Sequence, residues 1–376
     1  MNILIDNAGF VNKGAELMLF AAKNKLEEIS PSSKLVLREY VALMPLPEVR
    51  EKGFYILKDI KGGKYNLIPN KLTHFLGVIR PSDIDLVIDA GGFQFSDQWE
   101  KSYSKENNII LDKYYSNLKS KGAKIVFLPQ AFGPFTQPLA LERIKIVFKN
   151  ADLIYAREQA SYQFLVDVFG ESSKIKMSPD FTNIYKPKVP MVNLLANKEY
   201  VGVIPNQKMI THTDTSQSNQ YFDFILKLCK AVIQRGEKLI LINHEGTGDY
   251  EIIKKLQDQL PEDVVVLSDL NSSEVKAVIS RLKLLVSSRF HGVVSGLSQG
   301  VPTFCTGWSH KYQELLRDYK VEDNYLLLDD YLNAVQKIES VLDTPNNNSH
   351  IQTEETINQL KEQVEHMWMD IKKLYF

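Results

Sequence analysis

Short runs of Val, Ile and Leu recur along the chain, each followed by a longer stretch whose apolar positions fall three and four residues apart. In the first half this pattern predicts strands over residues 2–6, 35–40, 84–89, 124–128 and 153–156, with helices over 15–29 and 161–169. Strands that are apolar at consecutive positions are covered on both faces, and their alternation with helices makes them parallel. The pattern then restarts. Strands are predicted over 200–204, 238–243, 264–267, 284–287 and 303–306, and helices over 221–235, 250–260, 272–280 and 291–299. The expected fold class is therefore α/β, with two doubly wound Rossmann-like domains facing a central cleft.

The breaks in the pattern set the expected domains. Lys186-Pro187-Lys188-Val189-Pro190 carries two prolines, which suit neither a helix interior nor a central strand. Asn346-Asn347-Asn348-Ser349 is a polar interruption before a helix over 354–375, whose apolar stripe runs through Ile357, Leu360, Val364, Met367 and Ile371. These breaks divide the chain into 1–187, 188–345 and a terminal helix in 346–376 that is expected to pack back across the hinge.

Composition narrows the function classes. The 376 residues hold 45 Lys plus Arg against 46 Asp plus Glu, so no large positive field exists for a nucleic-acid backbone. The two cysteines, Cys229 and Cys305, form neither a disulfide framework nor a metal-ligand spacing. No His/Asp/Glu cluster at ligand spacing stands out either, so no metal and no cofactor is expected. The chain begins directly on a strand-like run, and no apolar run reaches the ~20 residues needed to span a bilayer. A cytoplasmic protein is expected, with a peripheral membrane contact left open.

Ligands of open parallel sheets bind beyond the carboxyl ends of the strands, so residues just after strands carry the candidate chemistry. Asn12 and Glu16 lie in Gly9-Phe10-Val11-Asn12-Lys13-Gly14-Ala15-Glu16, at the start of the first helix. Gly91, Gly92 and Asp97 follow the strand over 84–89, and Gln130 follows the strand over 124–128. Arg157 ends a short strand, where its fork can meet a carboxylate or phosphate. His244 follows the strand over 238–243 and is a candidate proton carrier. Val286-Ser287-Ser288-Arg289-Phe290-His291-Gly292 is the sharpest segment, because it combines a guanidinium and an imidazole two residues apart at a strand end. Lys311, in Trp308-Ser309-His310-Lys311-Tyr312, offers a point charge for phosphate. Each of these residues also has a purely structural reading as a turn, a cap or an ion pair.

In their order and spacing these stretches resemble the polysaccharide pyruvyl transferase family. The likeness runs from Asn12-Lys13-Gly14-Ala15-Glu16 through Ala90-Gly91-Gly92, Pro129-Gln130-Ala131-Phe132-Gly133-Pro134-Phe135, Ala156-Arg157-Glu158 with Ser161, Pro179-Asp180 and Arg289-Phe290-His291-Gly292 to Trp308-Ser309-His310-Lys311. Ala90 stands where the family often has a further glycine, and Ala15-Glu16 where a Gly-Asp pairing is common. The resemblance implies a GT-B-like fold, phosphoenolpyruvate as co-substrate and a ketal pyruvate on a sugar as product. It also implies that Arg289, His291 and Arg157 bind the donor, with the donor on the second domain and the acceptor on the first.

The chemistry assigns the remaining roles as expectations. Arg157, Arg289 and Lys311 would bind the anionic donor, and His291 would protonate its methylene carbon. Glu16 or Asp97 would act as base toward the sugar, while Asn12, Gly91, Gly92, Gln130 and His244 would bind a lipid-linked or nucleotide-linked acceptor. The alternatives are a GT-B-type nucleotide-sugar glycosyltransferase, a non-catalytic glycan- or carboxylate-binding protein, and a scaffold in a glycan-assembly complex.

Overall fold

The structure is a computed structural model that describes residues 1–10, 12–42, 44–58, 70–187, 199–344 and 349–376. Residues 188–190 of the expected linker and the Asn346-Asn347-Asn348 break lie outside the described residues. Contacts between residues divide the chain into two units. The first comprises Met1–Val11, Met18–Phe181 and Gln363–Phe376, and the second comprises Asn12–Leu17 and Thr182–Glu362.

The first unit is built on β1 (Asn2–Asp6), β2 (Lys34–Arg38), β3 (Phe54–Leu57), β4 (Val78–Ile79), β5 (Leu86–Asp89), β6 (Phe93–Phe95), β7 (Lys124–Phe132), β8 (Leu153–Ala156) and β9 (Ile175–Met177). The strands lie in the order β4-β3-β2-β1-β5-β7-β8-β9, with β6 beside β7, and every pairing is parallel. The order reverses between β1 and β5, where Asp6 and Asp89 are register partners at the strand ends. Expected and observed strands differ most at β7. The apolar pattern predicts its end at residue 128, but it continues to Phe132. Pro129 falls where the register against β8 shifts, between Phe127 and Gln130, so the ladder does not need its missing N–H. The last turns of the terminal helix Glu354–Tyr375 are part of this unit's packing. Trp368 is buried, Lys176 Nζ donates to Asp370 at 2.6 Å, and Lys25 pairs with Glu365 at 2.7 Å.

The second unit holds β10 (Tyr200–Ile204), β11 (Lys238–Ile242), β12 (Val265–Leu267), β13 (Leu284–Ser287) and β14 (Thr303–Cys305), in the parallel order β12-β11-β10-β13-β14. Its order reverses between β10 and β13. Val201, Val203, Leu239, Leu241, Leu284 and Val286 pack on one sheet face against the helix Thr215–Gln234, while Ile204, Ile240, Ile242 and Leu285 form the core on the other. Both cysteines are fully buried here. Burial raises the Cys229 thiol to about 12 and pushes Cys305 higher still. Among the described residues no helix is long and apolar enough to cross a membrane.

The short helix Phe290–Leu297 lies close on β13 and β14 because glycine occupies two positions one turn apart. A Cβ on Gly292 would sit 2.5 Å from Ser287 Oγ, and one on Gly296 would sit 2.2 Å from Thr303 Oγ1. Gly296→Ala should therefore destabilise the protein by about 1–3 kcal/mol, although alanine is the better helix former. Urea unfolding monitored by circular dichroism measures this, and an unchanged or higher midpoint would contradict the close packing.

Candidate active site

The carboxyl ends of β10 and β13 flank the reversal point of the second sheet, where such folds place their ligands. A hydrogen-bonded frame fixes the chain there. Tyr221 donates its hydroxyl to Ser288 Oγ at 2.7 Å, and Ser288 Oγ lies 2.7 Å from Thr306 Oγ1. Ser288 carbonyl oxygen accepts from Asn206 Nδ2 at 2.7 Å and from Tyr312 at 3.0 Å. Arg289 follows as the N-cap of the helix Phe290–Leu297, with extended φ and ψ of −105° and 126°.

Arg289 is 7% exposed, and its fork is committed. Nε donates to Asp249 Oδ2 at 2.8 Å and Nη2 to Oδ1 at 2.5 Å, while Nη1 pairs with Glu245. Asp249 is fully buried on the helix Gly246–Gln257, whereas the Glu245 side chain is 29% exposed. Burial lowers Arg289 to about 10 and raises the Asp249 carboxyl to about 7, against which the Gln207 N–H and Lys208 pull it down. The two-bond geometry compensates each group for its lost water.

His291, in the first turn of that helix, packs against the segment that opens the chain's first helix. A Cβ on Gly14 would lie 2.7 Å from His291 Nδ1, so only glycine lets the ring approach. Asn12 Oδ1 caps this segment by accepting the Ala15 N–H at 2.8 Å. Glu16 is buried and accepts the Ser272 N–H at 2.8 Å, with Lys13 Nζ 3.8 Å away. Residues some 280 positions apart in sequence are thus brought together inside one unit.

Three further groups belong to this neighbourhood. His244 is 5% exposed, and its Nδ1 has no hydrogen-bond partner among the described residues. Burial, then the charges of Arg289, His291 and Lys13, hold it well below the ordinary histidine value, so it is neutral at pH 7. Lys208 is lowered by burial and by Arg289. Lys311 stands over three rings, 4.6 Å from Trp308, 5.4 Å from Phe290 and 5.7 Å from Tyr312.

In the first unit the corresponding strand ends hold a carboxylate cluster. Asp89, fully buried, collects five donors: Asn7 Nδ2 at 2.6 Å, Gln94 Nε2 at 2.8 Å, Gly91 N at 3.1 Å, Gln130 Nε2 at 3.3 Å and the Tyr115 hydroxyl at 3.4 Å. Asp6 accepts from Arg38 and from the Tyr114 hydroxyl at 2.8 Å. Burial and the Asp6 charge raise Asp89 to about 7, against these donors. Gln130 is buried, and its Oε1 has no hydrogen-bond partner among the described residues. The Gly92 carbonyl oxygen accepts the Ala131 N–H. Asp97 holds the Thr136 N–H at 2.9 Å, the Thr136 hydroxyl at 2.7 Å and the Gln137 N–H at 3.0 Å, ahead of the helix Pro138–Asn150. The first-turn N–H groups of that helix, from Leu139 and Ala140, go instead to Glu100 at 3.1 and 2.8 Å. Arg157 is 4% exposed and contacts Glu158 at 3.3 Å and Asp180 at 3.4 Å. Among the described residues no group of His, Cys, Asp or Glu has the arrangement of a metal site.

A family model described as polysaccharide pyruvyl transferase matches residues 12–310. The chain belongs to the polysaccharide pyruvyl transferase family. Its reaction moves the enolpyruvyl group of phosphoenolpyruvate onto a sugar. Among functionally curated proteins no relative matches. Three solved structures show how widely the fold is shared. HepE of Anabaena, in complex with UDP and glucose, is 14% identical with a TM-score of 0.60, over 99% of this chain and 98% of its own. UDP-GlcNAc 2-epimerase of Methanocaldococcus jannaschii is 10% identical with a TM-score of 0.62, over 99% and 100%. A glycosyltransferase of Rickettsia africae is 10% identical with a TM-score of 0.54, over 100% and 97%. These likenesses show a GT-B-like fold.

Within this pyruvyl transferase, the match takes in Asn12, Arg157, His244, Arg289 and His291 and stops one residue short of Lys311. Sequence reasoning missed Asp249, Glu245, Lys208 and the Asp6–Asp89 pair. Asp249 lies inside an amphipathic helix, where an acid reads as solvent-facing. Asp6 and Asp89 did carry a signal, as acids ending otherwise apolar strands.

Three outcomes follow from this geometry. Asp249→Ala leaves a buried guanidinium without its main partner and should cost about 3–5 kcal/mol in denaturant unfolding. Asp89→Asn removes a buried charge yet turns an amide N–H2 toward donors, so a loss of about 2 kcal/mol is expected rather than a gain. A rise in melting temperature would contradict that reading. His244 stays neutral when folded but takes a proton near pH 6.5 when unfolded. Its contribution to stability is therefore present above pH 6.5 and lost as pH falls, by about 1.4 kcal/mol per unit. His244→Gln should flatten the wild-type stability profile between pH 6.5 and 5.

Proposed function

We propose that phosphoenolpyruvate binds at the start of the helix Phe290–Leu297, with Arg289 and His291 as its principal contacts. The observation that carries this reading is the guanidinium fork of Arg289. It is clamped on one edge by fully buried Asp249, while its Nη1 meets the more accessible Glu245. Asp249 fixes the fork, and the donor's carboxylate takes the place of Glu245 on Nη1. Lys311 and Lys208 add positive charge for the phosphate.

The reaction adds a proton to the donor's methylene carbon, making it a methyl group, while one sugar hydroxyl attacks the adjacent carbon. Phosphate then leaves with the C–O bond electrons, and a second hydroxyl of the same sugar closes the ketal. One hydroxyl proton balances the new methyl C–H and the other leaves with phosphate. His291 delivers the proton to carbon. Glu16 and Asp97 both spend their carboxylates on backbone N–H groups, which weakens either as base toward the sugar. The acceptor is a sugar carried on a nucleotide or a glycan, a reading supported by the UDP and UDP-glucose complexes of HepE. Asn12 and His244, both in the second unit, are assigned to it. An intracellular donor such as phosphoenolpyruvate supports a cytoplasmic setting, with lipid-linked acceptors met at the membrane face.

The same HepE complexes favour one rival, a glycosyltransferase using a UDP-sugar. Phosphate release from phosphoenolpyruvate, measured beside UDP release from UDP-glucose over a panel of acceptors, separates the two. His291→Ala should still bind the donor, though only moderately, by calorimetry while losing at least 100-fold in turnover, the low end expected for a lost general acid. Near-normal turnover would remove His291 from the proton transfer. Arg289→Lys should weaken donor affinity at least tenfold, since an ammonium cannot hold both Asp249 and a second carboxylate in one plane.

A further inference from the structure

Beyond the carboxyl ends of β11 and β12 the second unit has a pocket of about 510 Å³. Lys13, Asn243, His244, Asp269, Leu270 and Glu274 are among its lining residues. Lys13 is the only cation among the lining residues and faces two carboxylates, Asp269 and Glu274, while His244 is neutral at pH 7. The cationic groups of the donor site, Arg289, Lys208 and Lys311, do not line it. A pocket with this balance does not attract a second polyanion.

Its polar groups are nevertheless left wanting. Asn243 donates Nδ2 to the Gly246 carbonyl oxygen at 3.2 Å, but its buried Oδ1 has no hydrogen-bond partner among the described residues. Nor does Nδ1 of His244, a buried residue. Buried polar atoms left unpaired are costly and mark places where a ligand or water completes the bonding. Asn271 and Glu274 are partly occupied by a reciprocal cap of the helix Ser272–Ile279, which makes this wall rigid. Asp269 is exposed, and among the described residues none donates a hydrogen bond to its carboxylate. Carboxylate, amide and imidazole around one apolar side chain, Leu270, suit a ring that shows hydroxyls on its edge and C–H groups on its face.

We propose that this pocket binds an uncharged hydroxylated ring, and that it is the acceptor subsite of the transferase. The proposal deepens the pyruvyl-transfer reading and rests on it for the word acceptor alone. His244 joins the two sites, because it lines the pocket and feels the charges of Arg289 and His291. It moves the acceptor from the first unit, where the sequence suggested it, to a position beside the donor residues. The ring is either the sugar to be pyruvylated or the ribose of a nucleotide that carries it, since both present neighbouring hydroxyls without charge.

Titration of the full chain by calorimetry and saturation-transfer NMR tests this, using methyl glucopyranoside, methyl galactopyranoside, methyl mannopyranoside and uridine as probes. Asp269→Ala changes an exposed residue and is expected to fold normally. Asn243→Ala is the second variant. At least one probe should bind, and each variant should weaken it roughly tenfold, the loss expected for a hydrogen bond to a charged or buried group. Phosphoenolpyruvate affinity should stay within twofold. A response to glycosides identifies the ring as the sugar, and a response to uridine alone identifies it as a nucleotide's ribose. Variants that leave every probe's affinity unchanged, or that weaken phosphoenolpyruvate instead, overturn the subsite. Phosphate release is read separately. Ring binding that the variants weaken, without phosphate release from any acceptor, keeps the pocket and rejects pyruvyl transfer.

Discussion

The pair formed by Arg289 and Asp249 is the constraint on which the second unit's working end depends. A guanidinium that is 7% exposed has lost most of its hydration, and only a partner of matching shape compensates for that. Asp249 supplies the match from the helix Gly246–Gln257, so this helix, β13 and the helix Phe290–Leu297 are held to one geometry. The Tyr221–Ser288–Thr306 chain and the Tyr312 hydroxyl fix the same turn from behind. Because the fork cannot rotate without losing two bonds, the third nitrogen is held toward Glu245. The orientation is set by folding before any substrate arrives.

The two units solve the same problem with opposite charge. Each has a parallel sheet whose order reverses near its first strand, and each buries ionised groups at that reversal. In the second unit cations predominate, and anions position them. In the first, Asp6 and Asp89 lie side by side, and a shell of amides, tyrosines and Arg38 satisfies them. Asn7 accepts a left-handed backbone, with φ of 56°, while its side chain donates to Asp89, a conformation that asparagine tolerates better than most residues. Within this shell Gln130 Oε1 has no hydrogen-bond partner among the described residues.

How much of this was legible in the sequence depended on whether the signal was local. Tyr200–Ile204 and Leu284–Ser287 are read directly from apolar runs, since a strand covered on both faces leaves nothing else to read. The edge strands Val78–Ile79 and Ile175–Met177, and Phe54–Leu57 next to one edge, are only two to four residues long, and they take their conformation from neighbours. The helices Lys105–Ser120 and Pro138–Asn150 are absent from the predicted pattern. Arg289 and His291 stood out because two functional groups followed a buried strand. Asp249 was hidden because nothing in Gly-Thr-Gly-Asp-Tyr-Glu tells an acid facing an arginine from one facing water. Asp97 was ambiguous for a related reason: an acid after a glycine-rich turn looks the same in sequence whether or not it accepts the N–H groups of Thr136 and Gln137.

The two thiols bear on how such a protein can be observed. Cys229 and Cys305 are sealed in the second unit's interior, and burial keeps both protonated at neutral pH. A thiol in that state reacts poorly with maleimides or oxidants, which need the thiolate. The natural chain is therefore close to a cysteine-free background for spectroscopy. A cysteine introduced at an exposed position of either unit would accept a fluorophore or spin label at a single site, without first replacing Cys229 or Cys305 and disturbing the packing around them.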